Sequence, residues 1–271
     1  MPYDWPPLTP GNTEEVARRV ARVLEDAWQR LADRQRFLLD AVAFSPQAPQ
    51  VAAQLEDFKA AIADFALRAG SEIRGFVQQQ LPWLYQAGAT QAAAALGQRF
   101  TWSLLHVEAL QSLAADTYAD FLRCSQEQQR IANALYRAVR EAARREVPQL
   151  GAGYTTGRQA AKALADRLAT DHQLTHVVYR NGARVPVRAW AEAATLTKSA
   201  VAYNAGTLNR SREAGVTVVE VFDSADCGWT SHQDPDKANR TLRGVEEAAE
   251  WPISHPRCRR GFGPRPDVTE I

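Results

Sequence analysis

The chain is poor in the residues that staple small secreted domains together. Three cysteines in 271 residues do not make a disulfide framework. Cys124 lies inside a helical pattern and reads as a small core residue. Cys227 and Cys258 are left with only each other to pair with, and a reducing compartment is expected. No stretch approaches the ~20 consecutive apolar residues that a membrane-spanning helix needs. The N-terminus lacks a basic segment followed by an apolar one, so no secretory signal is expected and a soluble chain is. Net charge is only +1 with 23% charged residues, so overall charge implies neither a nucleic-acid nor a membrane partner. Familiar catalytic signatures are missing too. There is no H-E-x-x-H, G-x-S-x-G or G-x-x-x-x-G-K-[ST]. The zinc-deaminase pattern fails because Gln233-Asp234 follow His232 and Arg259-Arg260 follow Cys258. No internal repeat of 20–50 residues is visible.

What is present is a helical pattern with a real core, since 45% of the residues are hydrophobic. Residues 1–11 read as an extended arm carrying Tyr3, Trp5 and Leu8. Asn12 and Glu15 have capping-box spacing. Val16, Val20, Leu24, Ala27, Leu31, Leu38 and Val42 then recur on one helical face. Pro46 and Pro49 end that helix. A second pattern runs through Val51, Leu55, Phe58, Ile62 and Phe65. It is interrupted at Gly70-Ser71, continues to Leu84, and is broken at Pro82 and Gly88. Phe100 to Phe121 marks one further helix and Ile131 to Ala142 another. The aromatics Trp28, Phe37, Phe44, Phe58, Phe65, Phe76, Trp83 and Tyr85 exceed what a thin bundle buries. Some are expected to stay exposed as a partner surface.

Beyond a Gly-rich loop at 149–157 the character changes. A helix is expected from about Arg158 to Thr170. Val177 to Pro186 is a hairpin pattern around Asn181-Gly182. Helix 187–213 follows, with Trp190, Ala194, Thr197, Val201, Ala205 and Leu208 as its buried stripe and Gly215 as its stop. Val216 to Phe222 alternates like a strand. The expected fold is mainly α, with a long-helix N-terminal region and a small α+β C-terminal domain. The expected divisions are arm 1–11, helical domain 12–150 and C-terminal domain 151–271.

Chemistry concentrates in the last fifty residues. Cys227, His232, His255 and Cys258 form two close pairs, as Cys-x4-His and His-x2-Cys. Thiolate and imidazole donors in two pairs suit a closed tetrahedral zinc site, and a small sheet with little core gains most from such a staple. The alternative is that the cysteines are buried apolar residues and the histidines make ordinary hydrogen bonds. Asp223, Asp226, Asp234 and Asp236 read as a solvated acidic turn, because EF-hand spacing is absent. Arg257, Arg259, Arg260 and Arg265 flank Phe262 and make a candidate phosphate patch. The alternative is that they pair with those aspartates. His232, Asn239 and His255 occur in the order of a His-Asn-His nuclease, with a metal as Lewis acid and His232 as general base.

Three motifs in order resemble the minor capsid, or head-morphogenesis, proteins of tailed bacteriophages, the MuF type. They are Tyr179-Arg-Asn-Gly-Ala-Arg … Thr197 … Asn204-Ala-Gly, then the strand ending in Asp223-x-x-Asp226-Cys227, then His255-Pro-Arg-Cys258-Arg-Arg … Pro264. The match covers about the last ninety residues. It departs from the family at Thr230 and Arg260, where cysteines are common, and at Leu196, where Arg is usual. The resemblance implies a structural, non-catalytic virion protein, assembled in the host cytoplasm and lying inside the capsid near the portal. It implies the portal and the major capsid or scaffold protein as partners, with packaged DNA a further candidate through Arg257, Arg259, Arg260 and Arg265. No membrane partner is expected before ejection. A metal-dependent nuclease acting through the Cys/His/Asp cluster is the alternative.

Overall fold

The computed structural model describes residues 10–146, 155–179 and 182–269. It is mainly helical (69%), with long N-terminal helices and small antiparallel sheets in the C-terminal region. In chain order the elements are α1 (Pro10–Phe44), α2 (Ala48–Gly75), a π turn (Phe76–Gln80), α3 (Leu81–Ala95), α4 (Leu104–Arg145) and α5 (Thr155–Asp171). They continue with β1 (His176–Val178), β2 (Arg184–Pro186), α6 (Val187–Glu213), β3 (Val218–Phe222), β4 (Leu242–Gly244), α7 (Val245–Glu250) and β5 (Gly261–Pro264). The first nine residues of the expected arm lie outside the described residues, as does most of the Gly-rich loop. α1 already begins at Pro10, ahead of the expected cap at Asn12, whose side chain also lies outside them.

Three expected breaks do not occur. Leu104–Arg145 is one helix of 42 residues, where the pattern suggested two. Gly70-Ser71 lies within α2, and Gly88 within α3. Proline in a continuous helix lacks a donor and clashes with the carbonyl four residues back. For Pro82 that carbonyl belongs to Gln78, inside the π turn. There Leu81 N–H bonds to Phe76 O, and the wider ring accommodates the change.

The chain divides into two compact units, each assembled from separated segments. One contains residues 22–73 and 120–190. Its core is aromatic: Trp28 meets Phe65 edge-on at 4.6 Å, and Trp190 lies 5.4 Å from Trp28 and 5.7 Å from Phe121. Burying side chains of this size contributes roughly 1.5–3 kcal/mol each. The β1–β2 hairpin belongs to this unit, with Val177 opposite Val185. Asn181 of its turn lies outside the described residues, while Gly182 takes the positive φ (79°) expected there. Gln128 donates to the His176 carbonyl at 2.6 Å and ties α4 to β1.

The other unit contains residues 1–21, 74–119 and 191–271. In it β3 is the central strand of an antiparallel sheet ordered β4-β3-β5. Leu208, Val219, Val221, Trp229, Ala238, Val245, Ala248 and Phe262 form its core. α3 and α6 cross here at very short range. A Cβ on Gly88 would sit 1.9 Å from the Tyr203 carbonyl oxygen, and one on Gly206 would sit 2.0 Å from that of Tyr85. Only glycine permits backbones to approach so closely. Beside the crossing, Asn209 Nδ2 donates to Tyr85 Oη at 2.9 Å, and Tyr85 Oη lies 2.9 Å from His106 Nδ1. His106 Nε2 in turn lies 3.1 Å from Glu213.

Of the eight aromatics expected to outnumber their burial, Trp28, Phe58, Phe65, Phe76 and Tyr85 are buried. Phe37 and Phe44 are exposed, at 44% and 73%.

The Tyr85 phenol is pushed up to about 12, chiefly by burial. Unfolded tyrosine ionises near 10. The neutral phenol therefore favours the folded state fully below about pH 10, and that contribution is lost as pH rises toward 12. Thermal melts at pH 9, 10 and 11 should fall more steeply for the natural chain than for Tyr85→Phe. Parallel curves would contradict the assignment.

Candidate metal centre

The residues of the centre come from three places: the end of β3, the loop after it, and the loop before β5. β3 ends at Phe222, and Asp223 follows with its side chain fully buried. The chain then turns, with Cys227 N–H bonded to Ser224 O at 3.0 Å. The loop from 227 to 238 closes on itself. Ala238 N–H bonds back to Cys227 O at 3.0 Å, and Trp229 N–H to Asp236 O at 2.7 Å. Gly228 has no room for a side chain, since a Cβ there would lie 2.2 Å from that of Asp234.

The second pair is set by a turn. Cys258 N–H bonds to His255 O at 3.0 Å. Pro256 occupies its second position and Arg257, with φ 67°, its third. Proline followed by a positive φ is the pattern of a type II turn, so the proline inside His-x2-Cys is what folds the pair together.

Cys227, His255 and Cys258 thereby converge. Their ligand atoms all lie within 4.8 Å of one another, and both thiols are buried. This cluster could hold a metal ion. The histidine is already in the right tautomer. Its Nδ1 lies 2.8 Å from the Pro256 carbonyl oxygen, which can only accept, so Nδ1 carries the proton. Nε2 then presents its lone pair, and the Cys227 thiol donates to it at 3.3 Å. Burial, with the Asp223 carboxyl as a neighbour, pushes the Cys227 thiol up. A metal would have to displace that proton, as thiolate ligation always requires. Cys258 Sγ lies 3.4 Å from Ser254 Oγ and 3.6 Å from Asp223 Oδ1.

His232 is placed differently from the other three expected ligands. It is exposed on the 227–238 loop and does not share the three-residue cluster. Its ring stands edge-on to that of His255, with centroids 4.9 Å apart.

Two residues hold this corner together, and they meet as the pairing alternative for the arginines expects. Arg260 and Asp223 form an ion pair at 2.8 Å with both side chains wholly buried. The guanidinium also donates to Trp229 O at 2.8 Å, Trp251 O at 2.9 Å and Gly228 O at 2.7 Å, and it stacks 4.7 Å from the Trp229 ring. Of the two readings open for Arg260, phosphate patch or pairing with a nearby aspartate, the second holds, with the residue buried just ahead of β5. Asn204, fully buried in α6, donates to Pro252 O at 2.8 Å and Arg260 O at 2.9 Å. It pins the loop before β5 to the helix.

The remaining arginines of the candidate DNA patch have carboxylate partners. Arg257 pairs with Glu192 at 3.0 Å, Arg259 with Glu14 at 2.6 Å, and Arg265 with Asp267 at 2.7 Å and Glu220 at 3.2 Å. Asp234 is capped by Thr230 N–H, Thr230 Oγ1 and Asp236 N–H, and these bonds hold its carboxyl below the usual range. Asp236 pairs with Arg243 at 2.8 Å.

A scan against protein-family models, a search of curated proteins and a search of solved structures each return no match to the chain.

Removing one partner of a buried ion pair leaves the other uncompensated, at a cost of about 3–5 kcal/mol. Arg260→Met should therefore destabilise the sheet-bearing unit by about that much, read by urea unfolding. Arg260→Lys should recover little, because an ammonium cannot span one carboxylate and three carbonyls as the planar fork does. A loss under roughly 1 kcal/mol, the worth of an exposed pair, would show that the pair does not hold this corner.

Proposed function

We propose that the chain is a structural head-assembly protein of a tailed phage or prophage, of the MuF type. In this reading it binds the portal and the inner face of the capsid, through the major capsid or scaffold protein, and lies inside the virion near the portal. The observation that carries the reading is the interlocking of the motif residues. Asn204, Asp223, Cys227, His255 and Cys258 are spread over more than fifty positions, yet all belong to one frame closed by Arg260. Short motifs matched by chance have no reason to meet in this way. Long helices with exposed aromatics such as Phe37 and Phe44 suit a chain laid along a larger assembly.

Within this reading the Cys/His cluster holds a structural zinc. Two thiolates and one imidazole suit Zn²⁺ better than a hard cation. Two thiolates would neutralise the ion, and Arg260 already neutralises the nearby Asp223, so the buried corner would carry no net charge. Bound there, zinc would cross-link the β3 end to the loop before β5, with His232 swinging in as fourth ligand. Packaged DNA remains a candidate partner only through Arg257, Arg259 and Arg265, which would have to exchange carboxylates for phosphates. Arg260 is sealed from any such contact.

The nuclease alternative has one observation in its favour. Three ligands leave a coordination position open, and exposed His232 stands beside it. Against it, Asp223 beside the cluster is committed to Arg260 and is not available to orient His232 as a general base.

Metal analysis of purified protein should find about one zinc per chain. Cys258→Ser should lose it and loosen the last fifty residues while the helices of the other unit keep their melting behaviour. Absence of zinc from protein purified without chelator would remove the metal from the proposal. Co-expression with the portal protein of the same genome should give co-elution on size exclusion. That co-elution should be lost on replacing the exposed Phe37 and Phe44 with Ser, a change that leaves both interleaved units whole. A monomer that ignores portal and capsid proteins alike would overturn the head-assembly reading. Plasmid incubated with the protein and Mg²⁺, Mn²⁺ or Zn²⁺ should stay intact. Nicking abolished by His232→Ala would favour the nuclease instead.

A further inference from the structure

The sheet-bearing unit carries a groove of about 720 Å³. Its floor is apolar, formed by Ala92 and Ala95 of α3, Leu196 and Ala200 of α6, and Phe222 and Phe262 of the sheet. This is the size and lining of a site that buries a few large side chains. β5 forms one wall and is the edge strand of its sheet.

The start of α1 forms the rim. Glu14 and Arg18 line the groove, and being four residues apart they lie on one helical face. Glu14 is fastened to the groove wall by Arg259 at 2.6 Å. One turn further toward the N-terminus on that same face is Pro10, where the described chain begins. The nine residues before it are Met1-Pro-Tyr-Asp-Trp-Pro-Pro-Leu-Thr9. Extended, such a segment reaches up to roughly 30 Å from its attachment. It carries two large aromatic side chains, Tyr3 and Trp5, and Leu8. Three prolines restrict its backbone, which lowers the entropy lost on docking. Its one charged side chain is Asp4. The rim has three arginines, Arg18, Arg257 and Arg259, against two glutamates, Glu14 and Glu192, so its excess charge is positive.

We propose that this groove is the docking site of the chain's own N-terminal segment, Met1–Thr9, with Tyr3 and Trp5 as its anchors. The segment is tethered at the rim, so its local concentration is on the order of millimolar and modest contacts suffice to fill the site. The same groove would accept the corresponding segment of a second copy. The proposal is independent of the head-assembly reading, because it rests on the groove and the attachment point alone.

The test uses the full chain with the photo-crosslinking amino acid p-benzoylphenylalanine in place of Tyr3 or Trp5, irradiated and mapped by mass spectrometry. Crosslinks should concentrate on the 91–95, 196–203 and 261–264 segments and run at monomer size on a denaturing gel. Ala200→Arg, which puts a long charged side chain at a half-buried position lining the groove, should reduce them at least tenfold while leaving the melting temperature within a few degrees. A second groove variant, Leu196→Glu, guards against a folding defect in the first. Crosslinks at dimer size to the same segments would replace the proposal with exchange between copies. Crosslinks scattered over the surface, or unchanged by either variant, would overturn it.

Discussion

The sheet-bearing unit depends on one buried ion pair. Asp223 and Arg260 lie on neighbouring, antiparallel strand ends, and neither side chain reaches solvent. A buried pair of this kind contributes little by itself, since desolvating both charges offsets most of their attraction. Its value here is positional. The guanidinium is a rigid fork, and it spans carbonyls from the 227–238 loop and from Trp251. Those loops have little regular structure of their own, so their backbone groups need partners from elsewhere. One side chain supplies several, and each loop that it fixes carries a cysteine or histidine of the cluster that could hold a metal.

The cluster is therefore downstream of the frame. Cys227 is placed because its loop is closed by backbone bonds and by Arg260. His255 and Cys258 are placed by a proline-initiated turn. The Pro256 carbonyl then selects the imidazole tautomer that leaves Nε2 facing Cys227. The three residues are thus held in place by backbone bonds before any ion arrives, as a cluster that could hold a metal requires. The exposure of His232 fits the same logic. It sits midway along a loop whose ends are tied by the Cys227–Ala238 and Trp229–Asp236 backbone bonds, on the solvent side of the frame.

Much of the fold was legible because its signals are local. The bounds of α6 follow from Val187 after a hairpin and from Gly215, whose φ of 75° makes the expected stop. The mainly α class follows from apolar periodicity. What misled was punctuation and polarity. Pro82 and Gly88 are helix breakers by propensity, but a π turn accommodates the first and a close helix crossing requires the second. On α6 only Trp190 and Leu208 of the expected stripe are buried, and the buried face runs instead through Ala191, Thr195, Ser199, Ala202 and Asn204. Thr195 satisfies itself by donating to Ala191 O at 2.7 Å, and Asn204 by holding a distant loop. Composition cannot separate such residues from solvent-facing ones. The same limit applies to Arg260: pairing with a nearby aspartate is legible as an alternative, but the complete burial of that pair is not.

The arginines that flank the site separate by what lies opposite them. Arg260 faces a buried carboxylate and becomes structure. Arg257, Arg259 and Arg265 face partly exposed carboxylates, where solvent screens the attraction and a pair is worth about 0–1 kcal/mol. These three can exchange partners at little cost, and Arg260 cannot. Functional contact made by this basic stretch must therefore run through the outer three, while any change at Arg260 acts first on the loops that carry the cysteines and histidine. The sequence Arg257-Cys258-Arg259-Arg260 thus holds two different kinds of arginine three residues apart, and burial of the opposing carboxylate decides which is which.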